Sequence, residues 1–118
     1  MDLFDSLPLA SVVNGLYLCL HGGISPEIFE IEDINKINRF QEPPNIGLVC
    51  DILWSDPCEQ EDNPLKVSFV ENGLRCCSYK FGLHPVKSLL RRERMLTLVR
   101  AHEVKQQGYE MHCWEGEN

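Results

Sequence analysis

Two apolar runs in this chain each end on a histidine, and that pairing restricts the fold more than any other feature. Leu16-Tyr17-Leu18-Cys19-Leu20 leads into His21-Gly22-Gly23, and Leu96 to Ala101 leads into His102-Glu103. Short apolar runs bounded by turn residues read as strands. Ligand sites in α/β proteins gather at the C-terminal ends of strands. Two strand-terminal histidines far apart in sequence therefore suit one shared site, in which an imidazole reaches a metal or a phosphate. Gly22 and Gly23 lack a Cβ, which suits a sharp turn and close approach of a ligand.

The remaining segments fit an α/β domain with a mixed sheet. Phe4 to Pro8 reads as a helix end and turn. Ala10–Val13 and Leu16–Leu20 read as a hairpin, with Asn14-Gly15 at the positions that need positive φ. Ser25 suits a helix N-cap with Pro26 at the first helical position. Ile34, Ile37 and Phe40 line one face of a short helix, 34–40, which Glu42-Pro43-Pro44-Asn45 breaks. Leu48 to Trp54 suits a buried helix, 74–81 a strand, and Pro85 to Met95 a helix with Val86, Leu89 and Leu90 inward. Arg91, Arg92 and Arg94 then face solvent. Residues 96–101 form the next strand and 109–114 the last. Both ends of the chain read as cuts, because it opens inside a helix and stops just after a strand.

Composition narrows the classes of function. At 118 residues the chain holds one core, and 43% apolar with 25% charged residues is ordinary for a folded domain. A formal charge of −7 disfavours nucleic acid, whose phosphates select basic faces. No apolar run approaches the roughly 20 residues a bilayer requires. The acidic start, Met1-Asp2-Leu3-Phe4-Asp5, has no basic leader region. Six cysteines raise the question of disulfides. Cys19 and Cys50 lie in apolar stretches, and Cys76-Cys77 would point to opposite faces of a strand. No CxxC spacing supports a zinc knuckle. A reduced, cytoplasmic setting is the expectation.

The residues that carry chemistry are His21-Gly22-Gly23, Leu53-Trp54-Ser55-Asp56-Pro57, Arg75 and Arg100-Ala101-His102-Glu103. Residue type alone leaves choices open. His21 and His102 are ligands or hydrogen-bonded structural histidines, and Arg75 is a phosphate clamp or half of an ion pair. Trp54 reads most simply as core. Asp56 reads as orienting the site rather than binding metal, with Pro57 making a rigid turn. Glu103 suits a partner for the His102 ring or nearby backbone. His84 and His112 fall outside the motifs.

In order and spacing these motifs resemble the metal-dependent serine/threonine phosphoprotein phosphatases, from about Phe4 to His112. Phe40-Gln41-Glu42-Pro43-Pro44 and Arg75-Cys76-Cys77-Ser78-Tyr79 are similar to the calcineurin (type 2B) branch, although Cys76 stands where the family usually has glycine. The resemblance implies a partial calcineurin-like metallophosphoesterase fold, a β-sandwich flanked by helices with its N-terminal half missing. Residues 1–118 are then a fragment of the catalytic domain. It implies hydrolysis of phosphoserine and phosphothreonine in proteins by a water activated between two metal ions, iron, zinc or manganese. His21 and His102 would ligate the same ion, and the planar guanidinium of Arg75 would grip phosphate oxygens.

The same resemblance implies phosphoprotein substrates and, for the intact protein, a calcium-binding regulatory subunit and calmodulin. The chain has no Gly-Asp, Asp-x-His or Gly-Asn. It therefore lacks the family's other ligand motifs and general acid, and the isolated chain is expected to be inactive. The alternative is a truncated or degenerate phosphatase acting as a non-catalytic interaction module through an exposed apolar face.

Overall fold

The computed structural model describes residues 2–112. Two small mixed sheets share one core. The first joins β1 (Ala10–Val13), β2 (Tyr17–Leu20) and β6 (Thr97–Arg100) in the order β1-β2-β6. The hairpin β1–β2 is antiparallel, with Val13 opposite Tyr17. Its turn uses Asn14 and Gly15 at φ of 54° and 67°, the positive values that this pair of residues tolerates. β2 and β6 run parallel, with Tyr17 opposite Thr97 and Leu20 opposite Arg100.

The second sheet joins β3 (Asp56–Pro57), β5 (Tyr79–Phe81) and β4 (Phe69–Glu71) in the order β3-β5-β4. β3 and β5 are parallel, and β4 and β5 antiparallel. The helices are α1 (Asp2–Ser6), α2 (Glu32–Asn35), α3 (Leu48–Trp54) and α4 (Leu83–Glu93).

Leu18 and Leu20 from β2, Ile24, Ile52 from α3, Phe81 from β5 and Leu89 from α4 form the buried core. β-strand alternation sends Leu18 and Leu20 to the same face. Val86, Met95 and Leu98 pack against that cluster. α4 ends in a left-handed Arg94, where the Met95 N–H reaches the Leu90 carbonyl at 2.8 Å and closes the last turn. Arg91 and Arg94 are exposed as expected. Arg92 is exposed too, and its guanidinium lies over the Phe29 ring, 3.8 Å from its centroid, and donates to the Phe29 carbonyl.

Several expected elements differ. Ser25-Pro26 starts no helix: the Ser25 hydroxyl donates to Asp51 at 2.6 Å and accepts from the Glu27 N–H, which makes a turn. The helix expected over 34–40 is the four-residue α2. Beyond it, the Asn38 side chain accepts from the Phe40 N–H and favours a turn. Only 79–81 of the expected strand 74–81 is extended, because Cys76 and Ser78 hold φ of 59° and 63°. Its partner β4 had no clear sequence signal. Cys76 and Cys77 therefore sit in a loop and not on a strand. Asp56-Pro57 forms a short strand rather than a turn. No strand forms over 109–112, and the rest of that expected strand lies outside the described residues. No disulfide joins Cys19, Cys50, Cys58, Cys76 or Cys77 among the described residues. No helix among the described residues is long and apolar enough to cross a membrane.

Candidate metal and phosphate site

The parallel register of β2 and β6 decides where the two histidines meet. Leu20 opposite Arg100 carries both strands to a common end, and the Ala101 N–H extends the ladder to the His21 carbonyl at 3.0 Å. His21 Nε2 and His102 Nδ1 then lie 3.0 Å apart. Their rings meet at 67° with centroids 4.9 Å apart. His102 takes a left-handed backbone, φ 64°, as the chain leaves the sheet. Trp54, at the end of α3, stands edge-on to the His102 ring at 5.5 Å. It is 41% exposed, so it walls the site rather than filling the core.

The glycines behind His21 serve packing. A Cβ on Gly22 would stand 2.7 Å from the Leu53 carbonyl carbon, and one on Gly23 would stand 2.2 Å from the Phe81 ring. The Gly22 N–H donates to the Ile52 carbonyl at 2.8 Å, docking the His21 loop on the end of α3. Close approach of backbone at Gly22 and of the Phe81 and Ser55 side chains at Gly23 requires these residues, and neither has a positive φ.

Arg75 reaches the same place from the loop between β4 and β5. Its Nε donates to Asp56 Oδ2 at 2.9 Å, and its Nη2 faces Asp56 Oδ1 at 3.4 Å and the His102 carbonyl at 3.5 Å. The same carboxylate accepts from Asn72 Nδ2 at 2.9 Å and Arg100 Nη2 at 2.8 Å. Asp56 is 4% exposed, so one buried acid balances two guanidiniums. Burial pushes its carboxyl pKa up. The bonds from Arg75 and Asn72, with the charges of Arg100 and Arg75, more than offset that and hold it below the ordinary value. Asp56 thus holds the Arg75 and Arg100 guanidiniums beside His102.

His21, Trp54, Arg75, Cys76, Cys77 and His102 line a cavity of about 720 Å³, with Cys50 at its wall. Cys50 is fully buried, and burial together with its bond to Cys77 pushes its thiol pKa up to about 11. It is a neutral wall residue at ordinary pH. His84 faces a second, smaller cavity instead.

The residues present fit part of a metal site. Two nitrogens bound at right angles to one ion, each about 2.1 Å from it, stand about 3 Å apart, as these two do. Burial lowers the His102 pKa, and the charges of Arg75, His21 and Arg100 outweigh the opposing effect of Asp56. A neutral ring is what ligation needs. His102 Nε2 is buried and has no hydrogen-bond partner among the described residues. A ring that ligates through Nδ1 carries its proton on Nε2 and takes an acceptor there. No group of three or more His, Cys, Asp or Glu among the described residues is arranged to hold a metal. The pair would therefore fill at most two positions of one ion.

Arg100 is the site residue whose role its sequence did not show. It donates to the Gly22 and Ser55 carbonyls and pairs with Asp56 and Glu103. Glu103 therefore serves Arg100 rather than the His102 ring. One guanidinium ties the loop behind His21 to the strand before His102. The available signal was a lone arginine at the end of an otherwise apolar strand.

Two strand-end histidines on a cavity that Arg75 also lines are an arrangement suited to a phosphoester site. The chain belongs to the calcineurin-like phosphoesterases, whose family model matches residues 1–106. It is 46% identical over 117 residues to the serine/threonine-protein phosphatase 2B catalytic subunit A1 of Saccharomyces cerevisiae, covering 92% of this chain and 21% of that protein. Serine/threonine-protein phosphatase 5 of Rattus norvegicus is 40% identical over 111 residues, with 93% and 21% covered. A solved Saccharomyces cerevisiae protein serine/threonine phosphatase, similar to human phosphatase PP5, superposes with a TM-score of 0.73 at 30% identity. That match covers 88% of this chain and 30% of the solved one. The chain thus spans about a fifth of the phosphatase 2B and phosphatase 5 relatives, and the partial metallophosphoesterase fold expected from the motifs is the fold observed.

Proposed function

We propose that these 118 residues are part of the catalytic domain of a serine/threonine protein phosphatase of the type 2B kind, acting on phosphoserine and phosphothreonine in proteins. The observation that carries this reading is the 3.0 Å approach of His21 Nε2 to His102 Nδ1 on the cavity that Arg75 lines. His21 and His102 would hold one ion of a pair, of iron, zinc or manganese. When bound, the ions supply Lewis acidity toward phosphate oxygens and toward water.

The chain's own residues bind and orient. Asp56 occupies the Nε–Nη2 edge of Arg75, and Nη1 makes no hydrogen bond among the described residues. The Nη1 edge grips phosphate oxygens while Asp56 fixes the plane of the guanidinium. The ion pair and the phosphate clamp are thus two uses of one side chain. The remaining ligands and the proton donor to the leaving group lie in motifs these residues do not contain. A calcium-binding subunit and calmodulin belong to this proposal for the whole protein, as does a cytoplasmic setting. Of these, the relatives named phosphatase 2B catalytic subunits support only the partner subunit.

The test has two arms on the 118-residue chain. Manganese titration followed by NMR is expected to broaden the His21 and His102 ring signals first, and His21→Ala to abolish that preference. A small aryl phosphate with manganese is expected to show no turnover. Turnover that His21→Ala removes would overturn the half-site reading, and broadening that starts elsewhere would overturn the ligand assignment.

A further inference from the structure

We propose that Asp51 is a positioning residue that couples the loop behind His21 to the loop that carries Arg75. Asp51 lies on α3, is 2% exposed, and touches neither the cavity nor either histidine in any contact described above. Its Oδ2 accepts from the Ser25 hydroxyl at 2.6 Å, and its Oδ1 from the Ser78 hydroxyl at 2.7 Å. Ser25 stands four residues after His21, and Ser78 three after Arg75. The two oxygens of one buried carboxylate are thus divided between the two loops that furnish the site.

The Arg75 loop needs such an anchor. Cys76 and Ser78 both hold left-handed backbones, which disfavour residues other than glycine, asparagine and aspartate. Beyond the β4–β5 ladder, the Asn72 N–H to Ser78 carbonyl bond, at 3.1 Å, closes the base of that loop through backbone. The bond from Ser78 to Asp51 holds the second left-handed residue from the side. A charged acceptor makes the stronger kind of hydrogen bond, and a buried one left without donors is expensive. Moving either loop therefore strips Asp51 of a donor, so each loop stabilises the position of the other. The functional meaning of this coupling rests on the reading of His21 as a ligand and Arg75 as the phosphate grip. The coupling itself does not.

The experiment separates the two. Amide NMR spectra of the 118-residue chain are recorded for Ser25→Ala, Ser25→Thr and Ser78→Ala, with Asp51→Asn as the background that removes the shared acceptor. Coupling is expected to show as shifts that cross the molecule: Ser25→Ala moves the amides of 75–78, and Ser78→Ala moves those of 22–24. Ser25→Thr, which keeps the hydroxyl, restores the wild-type positions, and the crossing shifts vanish in the Asp51→Asn background. Inorganic phosphate affinity is expected to fall about fivefold in Ser25→Ala and Ser78→Ala, on the scale of one net hydrogen bond.

Shifts confined to the mutated loop, or unchanged by the background, would overturn the proposal. If Asp51→Asn does not fold, failure of Ser25→Thr to restore the positions of 75–78 overturns it in the same way. Crossing shifts in a chain whose wild type binds no phosphate uphold the coupling and remove only the Arg75 reading.

Discussion

The two halves of the site are placed by different forces. His21 and His102 are set by a backbone ladder: two parallel strands in register deliver them side by side, and the Ala101 N–H continues the ladder past the strand ends. Arg75 is set by side chains. It hangs on a loop with two left-handed residues, which Asn72 braces from within and Asp56 and Asp51 hold from outside. A ladder spreads its stability over many equivalent bonds beneath an apolar core, and no single polar group decides it. A loop held by charges depends on a few buried groups, each of which is costly to leave unpaired. The histidine end is expected to tolerate polar substitution that the arginine end does not.

Asp56→Ala is expected to have the largest effect. It leaves Arg75 and Arg100 without their shared carboxylate, at 23% and 11% side-chain exposure. Removing one partner from a buried charge network costs about 3–5 kcal/mol. The urea midpoint should fall accordingly, and the amides of 72–78 should lose protection from hydrogen exchange before those of β2 and β6. Equal loss in both regions would break the contrast drawn here. Gly23→Ala attacks the other end. The new methyl collides with the Phe81 ring 2.2 Å away, and overpacking of this kind costs about 1–3 kcal/mol. Here the loss should appear at the His21 loop, with the manganese response of the His21 ring weakened and the 72–78 amides near their wild-type positions.

The same division explains what the sequence reveals. Asn14-Gly15, the apolar runs of β2 and β6, and the face of α4 follow from local pattern, and the structure has them within two or three residues. Once two strands run parallel, the meeting of His21 and His102 follows from register, which hydrophobic alternation sets. The arginine loop follows from no local pattern. Leu74 to Phe81 looks strand-like by composition, yet Cys76 and Ser78 take positive φ because Asp51 and Asp56 reward that path from elsewhere in the chain. Asn72, which no sequence motif singles out, is 2% exposed and a buried donor to Asp56. Ser25 reads as a cap because its tertiary partner, Asp51, is 26 residues away. Trp54 reads as core, and only its place beside His102 shows it as a wall.

The smallest expected effect sharpens the contrast, because it comes from a partly exposed charge pair of the second sheet that lines no part of the cavity. Lys80 on β5 reaches Asp62 at 2.9 Å, with both side chains 20–25% exposed. Burial pushes the Asp62 carboxyl up, but the bonds from Lys80 and from the Glu59 N–H outweigh it and the net pKa is lowered. Lys80 moves the other way, raised chiefly by its bond to Asp62. A carboxyl lowered by folding adds stability that is complete above its unfolded pKa of about 3.9 and lost as pH falls through the folded value. A raised lysine adds stability that is complete below about 10.4 and lost as pH rises through its folded value. Lys80→Met should therefore lower stability by no more than about 1 kcal/mol near neutral pH, as partly exposed pairs do. The difference from wild type should stay flat across the neutral range and close in strong acid as Asp62 takes up its proton. Urea midpoints from acid to neutral pH measure this. A difference that persists in strong acid would mean that the lysine stem, packed along β5, stabilises the sheet more than its charge does.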